Sequence, residues 1–187
     1  MSEMNLTGHF LIAMPQLKDP NFLKSVTYIW EHDENGAFGI VINHDLNASV
    51  GELFLQLGLD CNEDNPYTHM PLHLGGPVEM ERGFVLHQPF GEWKSTLVQN
   101  EDLALTSSLD MMQAISKGEG PENIFVALGY AGWGAGQLEQ EIQANAWLNG
   151  PADIGIIFNL PSEQRWKAAA DLMGVDLALL SNDIGHA

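Results

Sequence analysis

The Asn35-Gly36 pair constrains the fold of this chain more than any other short feature. Asn-Gly is the strongest short-range signal for a tight β-hairpin, and it lies between two β-rich runs, residues 25–30 and 38–42. These runs are predicted to pair antiparallel. Because parallel strands are joined by long crossovers and not by tight hairpins, the pair argues against a doubly wound parallel sheet.

A strand–helix–strand pattern is predicted in the C-terminal half. Residues 124–128 and 154–158 are fully apolar runs that predict buried strands. Between them, Leu138, Ile142 and Ala146 recur at helical spacing, and the helix is expected to end at Gly150-Pro151. A parallel crossover follows, and together with the hairpin it favours an α+β or mixed α/β domain.

Other segments carry local start and stop signals. Ser49 and Glu52 fit a capping box, so a short amphipathic helix is expected to end near Gly58. Ser107 and Asp110 predict a second helix, with Leu109, Met112 and Ile115 on its buried face. Further strands are predicted at 9–14, 71–75, 83–88 and 95–99, a loop at 60–71, a turn at 75–78, and a last helix over 162–174. Since no repeat or long linker interrupts this order, one domain is expected over residues 1–187.

The charge and the cysteine content limit which partners and which cellular compartment are expected. Seven Lys and Arg residues, dispersed along the chain, stand against 25 Asp and Glu, for a net charge of −18. Without a basic stripe, neither nucleic acid nor an anionic membrane surface is an expected partner. A basic protein partner or a cationic ligand fits better. The single cysteine and the lack of a signal peptide or spanning run predict a cytoplasmic protein, and the oligomeric state stays open.

The stretch 128–142 combines a predicted strand end, a glycine-dense turn and a helix start. A dinucleotide fingerprint fails because Gln137 stands where its third glycine belongs, and no phosphate loop occurs anywhere. The turn is therefore either structural or a ligand or partner site. In the second case Gln137, Glu141, Asn145 and Trp147 are the expected side-chain contributors.

The sequence contains no complete motif for a metal site or for a catalytic nucleophile. The acidic loop 60–71 lacks the glycine and the glutamate of a calcium loop, and Pro71 keeps His69 and His73 from sharing a helix face. Residues 31–34 predict a solvated turn, with a cation site as the alternative. Cys61 lies among carboxylates that oppose thiolate formation, and His9 and His87 fit core or edge positions. No metal, cofactor or catalytic residue is predicted.

Six motifs, in this order, resemble the AlgH/YqgE family of bacterial proteins: GHFLIAMP (8–15), DPNF (19–22), EHDENGAFGIVIN (31–43), GGPV (75–78), GYAGWGAGQLE (129–139) and GHA (185–187). The match spans essentially the whole chain. It implies an α+β domain with a branched, largely antiparallel sheet, part of it closing toward a barrel, flanked by helices. The family is regarded as uncharacterised, although some members carry the label of transcriptional regulator. It supplies no catalytic residues.

The resulting functional hypothesis is a cytoplasmic, non-enzymatic binding or regulatory protein that acts through a protein partner or a small ligand. The expected binding residues are Gly132, Trp133, Gly134, Gly136, Gln137, Glu141, Asn43, Gly75 and Gly76; Glu139 also matches the family motif. A hydrolase or transferase site assembled from His32, Asn43, Gln137 and Glu141 is the alternative, and it requires these four to converge. Direct DNA binding is third, and the net charge opposes it.

Overall fold

The computed structural model describes residues 4–17, 19–89, 91, 93–100, 103–176 and 178–179. These residues group into two compact units. The first contains residues up to His44, residues 75–78 and residues from Tyr130 onward, and the second contains residues 45–74 and 79–129. The strands are β1 (His9–Ala13), β2 (Val26–Asp33), β3 (Gly36–Val41), β4 (Asp45–Ser49), β5 (Pro71–Leu74), β6 (Val78–Gln88), β7 (Thr96–Asn100), β8 (Leu103–Thr106), β9 (Asn123–Gly134) and β10 (Trp147–Pro151). The helices are α1 (Val50–Gln56), α2 (Leu109–Ser116), α3 (Gln137–Gln143), α4 (Ile154–Asn159) and α5 (Ser162–Leu172).

The predicted hairpin is confirmed in the first unit, where β2 and β3 pair antiparallel with Asp33 opposite Gly36. Glu34 and Asn35 form the turn, so Gly36 is already the first residue of β3. Its φ is 135°, and a Cβ there would overlap the Trp133 carbonyl of the neighbouring β9. Glycine is required at this position because two backbones approach closely.

The sheet of the first unit runs β10-β1-β2-β3-β9, and every neighbouring pair is antiparallel. One core cluster joins α3 to this sheet; it contains Leu6, Leu11, Ala13, Ile29, Ala131, Trp133, Leu138 and Trp147. Helix α5 packs on β1 and β2, and its Trp166 indole N–H donates to the Ala13 carbonyl at 3.4 Å. Helices therefore flank the sheet, as expected.

The predicted strand at 154–158 is wrong, because this run is helix α4. Asp153 caps it by accepting a hydrogen bond from the Gly155 N–H at 2.9 Å. Near its C-terminus, the buried Arg165 guanidinium donates to the Ile156 and Ile157 carbonyls, at 3.2 and 2.9 Å. Both ends are thereby satisfied in a helix of six residues, which is too short for helical periodicity to show in the sequence.

The strand–helix–strand pattern exists, but its boundaries differ from the prediction. The helix α3 ends at Gln143, and Asn145 adopts a left-handed φ of 59°, which is typical of residues that follow a helix end. The following strand is β10, which pairs with β1 and lies where the helix was expected to continue. The glycine-dense turn predicted within 128–142 is confined to Ala135 and Gly136, because the residues before it extend β9 to Gly134.

The second unit contains β4 to β8, α1, α2 and the N-terminal part of β9. Strand β5 pairs parallel with β9 and antiparallel with β4, whereas β8 pairs antiparallel with β6 and β7. The capping box at Ser49 and Glu52 is confirmed at the start of α1. The N-cap of α2 is Ser108 and not Ser107. Leu109, which was expected on the buried face, is exposed, and Met111 is buried instead.

The predicted α+β class with a branched, largely antiparallel sheet is confirmed. Strands β3, β5 and β6 all neighbour β9, which makes the sheet branched, and the β5–β9 pairing is parallel. Strands β4 and β8 had no clear sequence signal. The single domain over residues 1–187 stays a prediction, and the motif at 185–187 lies outside the described residues.

Candidate functional site

The glycine-tryptophan motif forms the end of β9, a two-residue turn and the start of α3. Side chains alternate along a strand, so Trp133 is buried between the exposed Gly132 and Gly134. Gly136 precedes α3 with a left-handed φ of 76°. The motif therefore sends one large side chain into the core and then reverses the chain into a helix.

Four side chains of this region bond to one another, and we call them the Trp–Glu clasp: Trp133, Gln137, Glu141 and Trp147. The Glu141 carboxylate accepts from the Trp133 indole N–H at 2.7 Å and from the Trp147 indole N–H at 3.2 Å. Gln137 donates to Glu141 at 3.3 Å and accepts from the Gly134 N–H at 3.0 Å. The two indole rings meet edge to face at 6.1 Å.

In the clasp, Trp133, Gln137, Glu141 and Trp147 lie together, and their polar atoms have partners within the fold. Both indoles are at least 94% buried, so an acceptor for their N–H groups stabilises the fold. Asn145, the remaining expected contributor, is exposed just beyond the end of α3. The hydrogen bonds of the clasp account for a structural role; a binding role for these residues stays a prediction.

Gly75 and Gly76 pass close to the neighbouring strands. The Gly75 carbonyl accepts from the Val41 N–H at 2.8 Å. Gly76 has a φ of 154°, and a Cβ there would overlap the Tyr130 carbonyl. Backbone packing therefore explains why this turn needs its second glycine.

Asn43 holds the start of β2. Its amide oxygen accepts from the Val26 N–H and its amide nitrogen donates to the Lys24 carbonyl, both at 2.8 Å. The four residues of the alternative enzymatic site thus occupy three settings: Asn43 beside β2, Gln137 and Glu141 in the clasp, and His32 beside Glu139. Their hydrogen bonds do not bring them to one reaction centre.

His32 is buried at the end of β2, although residues 31–34 predicted a solvated turn. Its Nδ1 accepts from the Leu6 N–H at 3.0 Å, and its Nε2 lies 2.6 Å from a Glu139 oxygen. Since Nδ1 acts as an acceptor, the ring proton is on Nε2 and is donated to Glu139. The imidazole therefore joins a backbone donor to a carboxylate, and both of its ring nitrogens are engaged.

Next to this pair is a cavity of about 610 Å³, which we call the acidic pocket; Met4, Asn5, His32, Asp33, Glu34, Gly136 and Glu139 line it. Three of its lining residues are carboxylates and none is Lys or Arg. The backbone N–H of Glu139 itself, followed by the His32 donor, lowers the pKa of the Glu139 carboxyl below its ordinary value. Glu139 is therefore ionised at neutral pH.

The sequence analysis named His32 in the cation-site alternative at residues 31–34 and in the alternative enzymatic site, but it did not place His32 beside Gly136 and Glu139. The signal that could have found it is the alternation Glu31-His32-Asp33, which buries only the middle residue. Within the described ranges, no three His, Cys, Asp or Glu side chains form a group able to hold a metal ion. The same part of the chain contains no helix long and apolar enough to cross a bilayer.

Comparison with known proteins finds the same architecture and clear sequence relatives. Residues 10–178 match a family model described as AlgH-like. A UPF0301 protein of Thioalkalivibrio sulfidiphilus is 53% identical over 98% of this chain and 97% of its own length. A UPF0301 protein of Nitrosospira multiformis is 50% identical over 100% of both chains.

Two solved structures are similar along nearly the whole chain. The solution structure of the AlgH protein from Pseudomonas aeruginosa is 48% identical and has a TM-score of 0.81; the match covers 100% of this chain and 98% of that one. The crystal structure of protein DIP2367 from Corynebacterium diphtheriae has a TM-score of 0.73 at 21% identity, covering 97% and 94%. At that identity, the second match supports the fold alone.

Proposed function

Since the chain belongs to the AlgH-like family, we propose that it is a cytoplasmic, non-enzymatic binding protein whose acidic pocket takes a cationic group. The group is an ammonium or guanidinium, carried by a small ligand or by a protein partner. One observation carries this proposal: Asp33, Glu34 and Glu139 line one cavity that no Lys or Arg side chain lines.

The charges of the pocket favour a cation. Glu139 stays ionised because hydrogen-bond donors, first its own backbone N–H and then His32, hold its pKa low. The Asp33 carboxylate accepts the backbone N–H of Asn35 at 2.7 Å, and no Lys or Arg side chain lines the pocket beside it. The net charge of −18 adds a long-range attraction for cations.

The same geometry favours binding over acid–base catalysis. A general base needs a lone pair that faces its substrate, but the His32 Nδ1 accepts a backbone N–H and its Nε2 donates to Glu139. The Glu141 oxygens accept from both indoles and from Gln137. No specific observation therefore favours a hydrolase or transferase.

The test is an NMR titration of the labelled protein with butylammonium, methylguanidinium and a lysine-rich decapeptide. We expect saturable shifts at residues of the acidic pocket, and an affinity that falls as ionic strength rises from 10 to 150 mM. Glu139→Gln and Asp33→Asn should each weaken binding by roughly tenfold, because a charge-assisted hydrogen bond is lost.

Glu163→Gln is the matched control, since this exposed carboxylate on α5 lies outside the pocket. A decapeptide that binds at least tenfold more tightly than the small amines would assign the cation to a protein partner, whereas equal affinities would assign it to a small ligand. Equal binding by the pocket variants and the control variant would refute the proposal.

A further inference from the structure

A second cavity, of about 600 Å³, lies in the first unit at the C-terminal end of α5. Trp166, Ala170, Gly174 and Val175 form its apolar wall, and Lys24, Lys167, Asp171 and Asp176 contribute charged groups. This volume is in the range of sites for small molecules, which typically combine apolar walls with a few polar groups. The cavity shares no lining residue with the acidic pocket.

The charges at this cavity are not equivalent. Lys167 is paired with Asp171 at 2.7 Å, and this hydrogen bond raises the pKa of the Lys167 ammonium. Lys24 has no carboxylate within salt-bridge distance among the described residues. Its ammonium lies instead 5.7 Å from the centre of the Trp166 ring. In a chain with 25 acidic residues, a cation without a carboxylate partner beside an apolar wall is available to an anionic ligand.

The main chain at Lys24 has an unusual conformation. Its φ is 54°, a left-handed conformation that is uncommon for a residue other than glycine. The Asn43 amide stabilises it by donating to the Lys24 carbonyl while it accepts from the Val26 N–H, both at 2.8 Å. Asn43, one of the residues expected to bind ligand, thus holds the main chain at Lys24.

From this arrangement we propose that the cavity binds a small carboxylic acid with a flat apolar body. The carboxylate pairs with the Lys24 ammonium, and the body lies against Trp166, Ala170 and Val175. Small side chains at Ala170, in the last turn of α5, and at Gly174, two residues beyond the end of that helix, leave room for a planar group. An aromatic carboxylate meets these requirements in one molecule.

The experiment is calorimetric titration of the full chain with 2-naphthoate and with its neutral analogue 2-naphthamide. We expect 2-naphthoate to bind saturably and at least tenfold more tightly than 2-naphthamide, because only the acid pairs with Lys24. Lys24→Gln should weaken 2-naphthoate about tenfold without affecting 2-naphthamide. Lys24→Arg should retain the binding of 2-naphthoate, since it keeps the charge.

Lys94→Gln is the control, because this exposed lysine lies outside the cavity. Trp166→Leu should weaken 2-naphthoate and 2-naphthamide alike, since it removes a shared apolar wall. The proposal is overturned if 2-naphthoate does not saturate at millimolar concentration, or if Lys24→Gln binds it as tightly as Lys94→Gln does. Binding of butylammonium at the acidic pocket should be unchanged in Lys24→Gln, so the two proposals fail independently.

Discussion

Removing the carboxylate of the Trp–Glu clasp should destabilise the protein strongly. Glu141→Ala leaves two largely buried indole N–H groups, those of Trp133 and Trp147, without an acceptor. Each unsatisfied buried donor costs about 1–3 kcal/mol, so we expect a loss of about 3 kcal/mol in the free energy of unfolding. For a chain of this size that loss lowers the thermal midpoint by roughly 6–12 °C.

The assay is urea denaturation followed by circular dichroism, with thermal scans in parallel. Gln140→Ala is the matched control, because Gln140 is an exposed neighbour on the same helix and alanine is the best helix former. Glu141→Gln keeps an acceptor oxygen and loses the charge, so it should cost about 1 kcal/mol.

A double-mutant cycle tests whether the hydrogen bond itself is responsible. Trp133→Phe removes the donor at 2.7 Å while it keeps much of the apolar packing. If the clasp stabilises the fold as described, the two changes should couple by about 1 kcal/mol or more. The reasoning is refuted if Glu141→Ala costs no more than Gln140→Ala, or if its cost is unchanged in the Trp133→Phe background.

Three other perturbations have expected outcomes. Gly76→Ala should lower the free energy of unfolding by about 3 kcal/mol or prevent folding, because a Cβ there overlaps a backbone carbonyl. Gly174 has a left-handed φ of 73° but open space around it, so Gly174→Ala should cost about 1 kcal/mol in the same urea assay. Burial lowers the pKa of His87 below the ordinary 6.5, so the folded state binds fewer protons than the unfolded state, and stability should fall as the pH drops below about 6.5. The urea midpoints at pH 7.5 and 5.5 should therefore differ less in His87→Gln than in the unchanged protein, and an equal difference would contradict the assignment. Arg165→Met should lower the free energy of unfolding by about 3 kcal/mol, because it leaves buried carbonyl groups without a donor. Arg165→Lys should recover only part of that loss, since one ammonium cannot reach all of these carbonyls. Full stability of either variant would contradict this account.

The parts of the fold that the sequence predicted correctly depend on contacts between near neighbours. The hairpin at Asn35-Gly36 and the capping box at Ser49 and Glu52 each form within a few residues, so their signals are contained in short segments. Residues 154–158 lack such a signal. A short apolar run fits a strand or a helix equally well, and the donor that satisfies the helix end is on α5.

In the candidate site, too, the contacts between near neighbours could be predicted from the sequence and the distant ones could not. Gln137 and Glu141 are four residues apart on α3, so their proximity to each other could be predicted, and Trp133 lies four residues before Gln137. The bond between His32 and Glu139 joins residues 107 positions apart. No local pattern encodes that distance, and only the folded sheet shows that the exposed Asp33 and Glu34 of the hairpin line a cavity together with Glu139.

The Trp–Glu clasp also gives this protein an optical reporter of its own. Indole emission depends on the polarity and hydrogen bonding around the ring, and Glu141, which bonds to two indoles, lies on the same seven-residue helix as Glu139 of the acidic pocket. A ligand that moves α3 by a fraction of an ångström alters both indole environments at once. If occupancy of the proposed pocket displaces α3, we therefore expect it to change the emission of two of the five tryptophans of the chain.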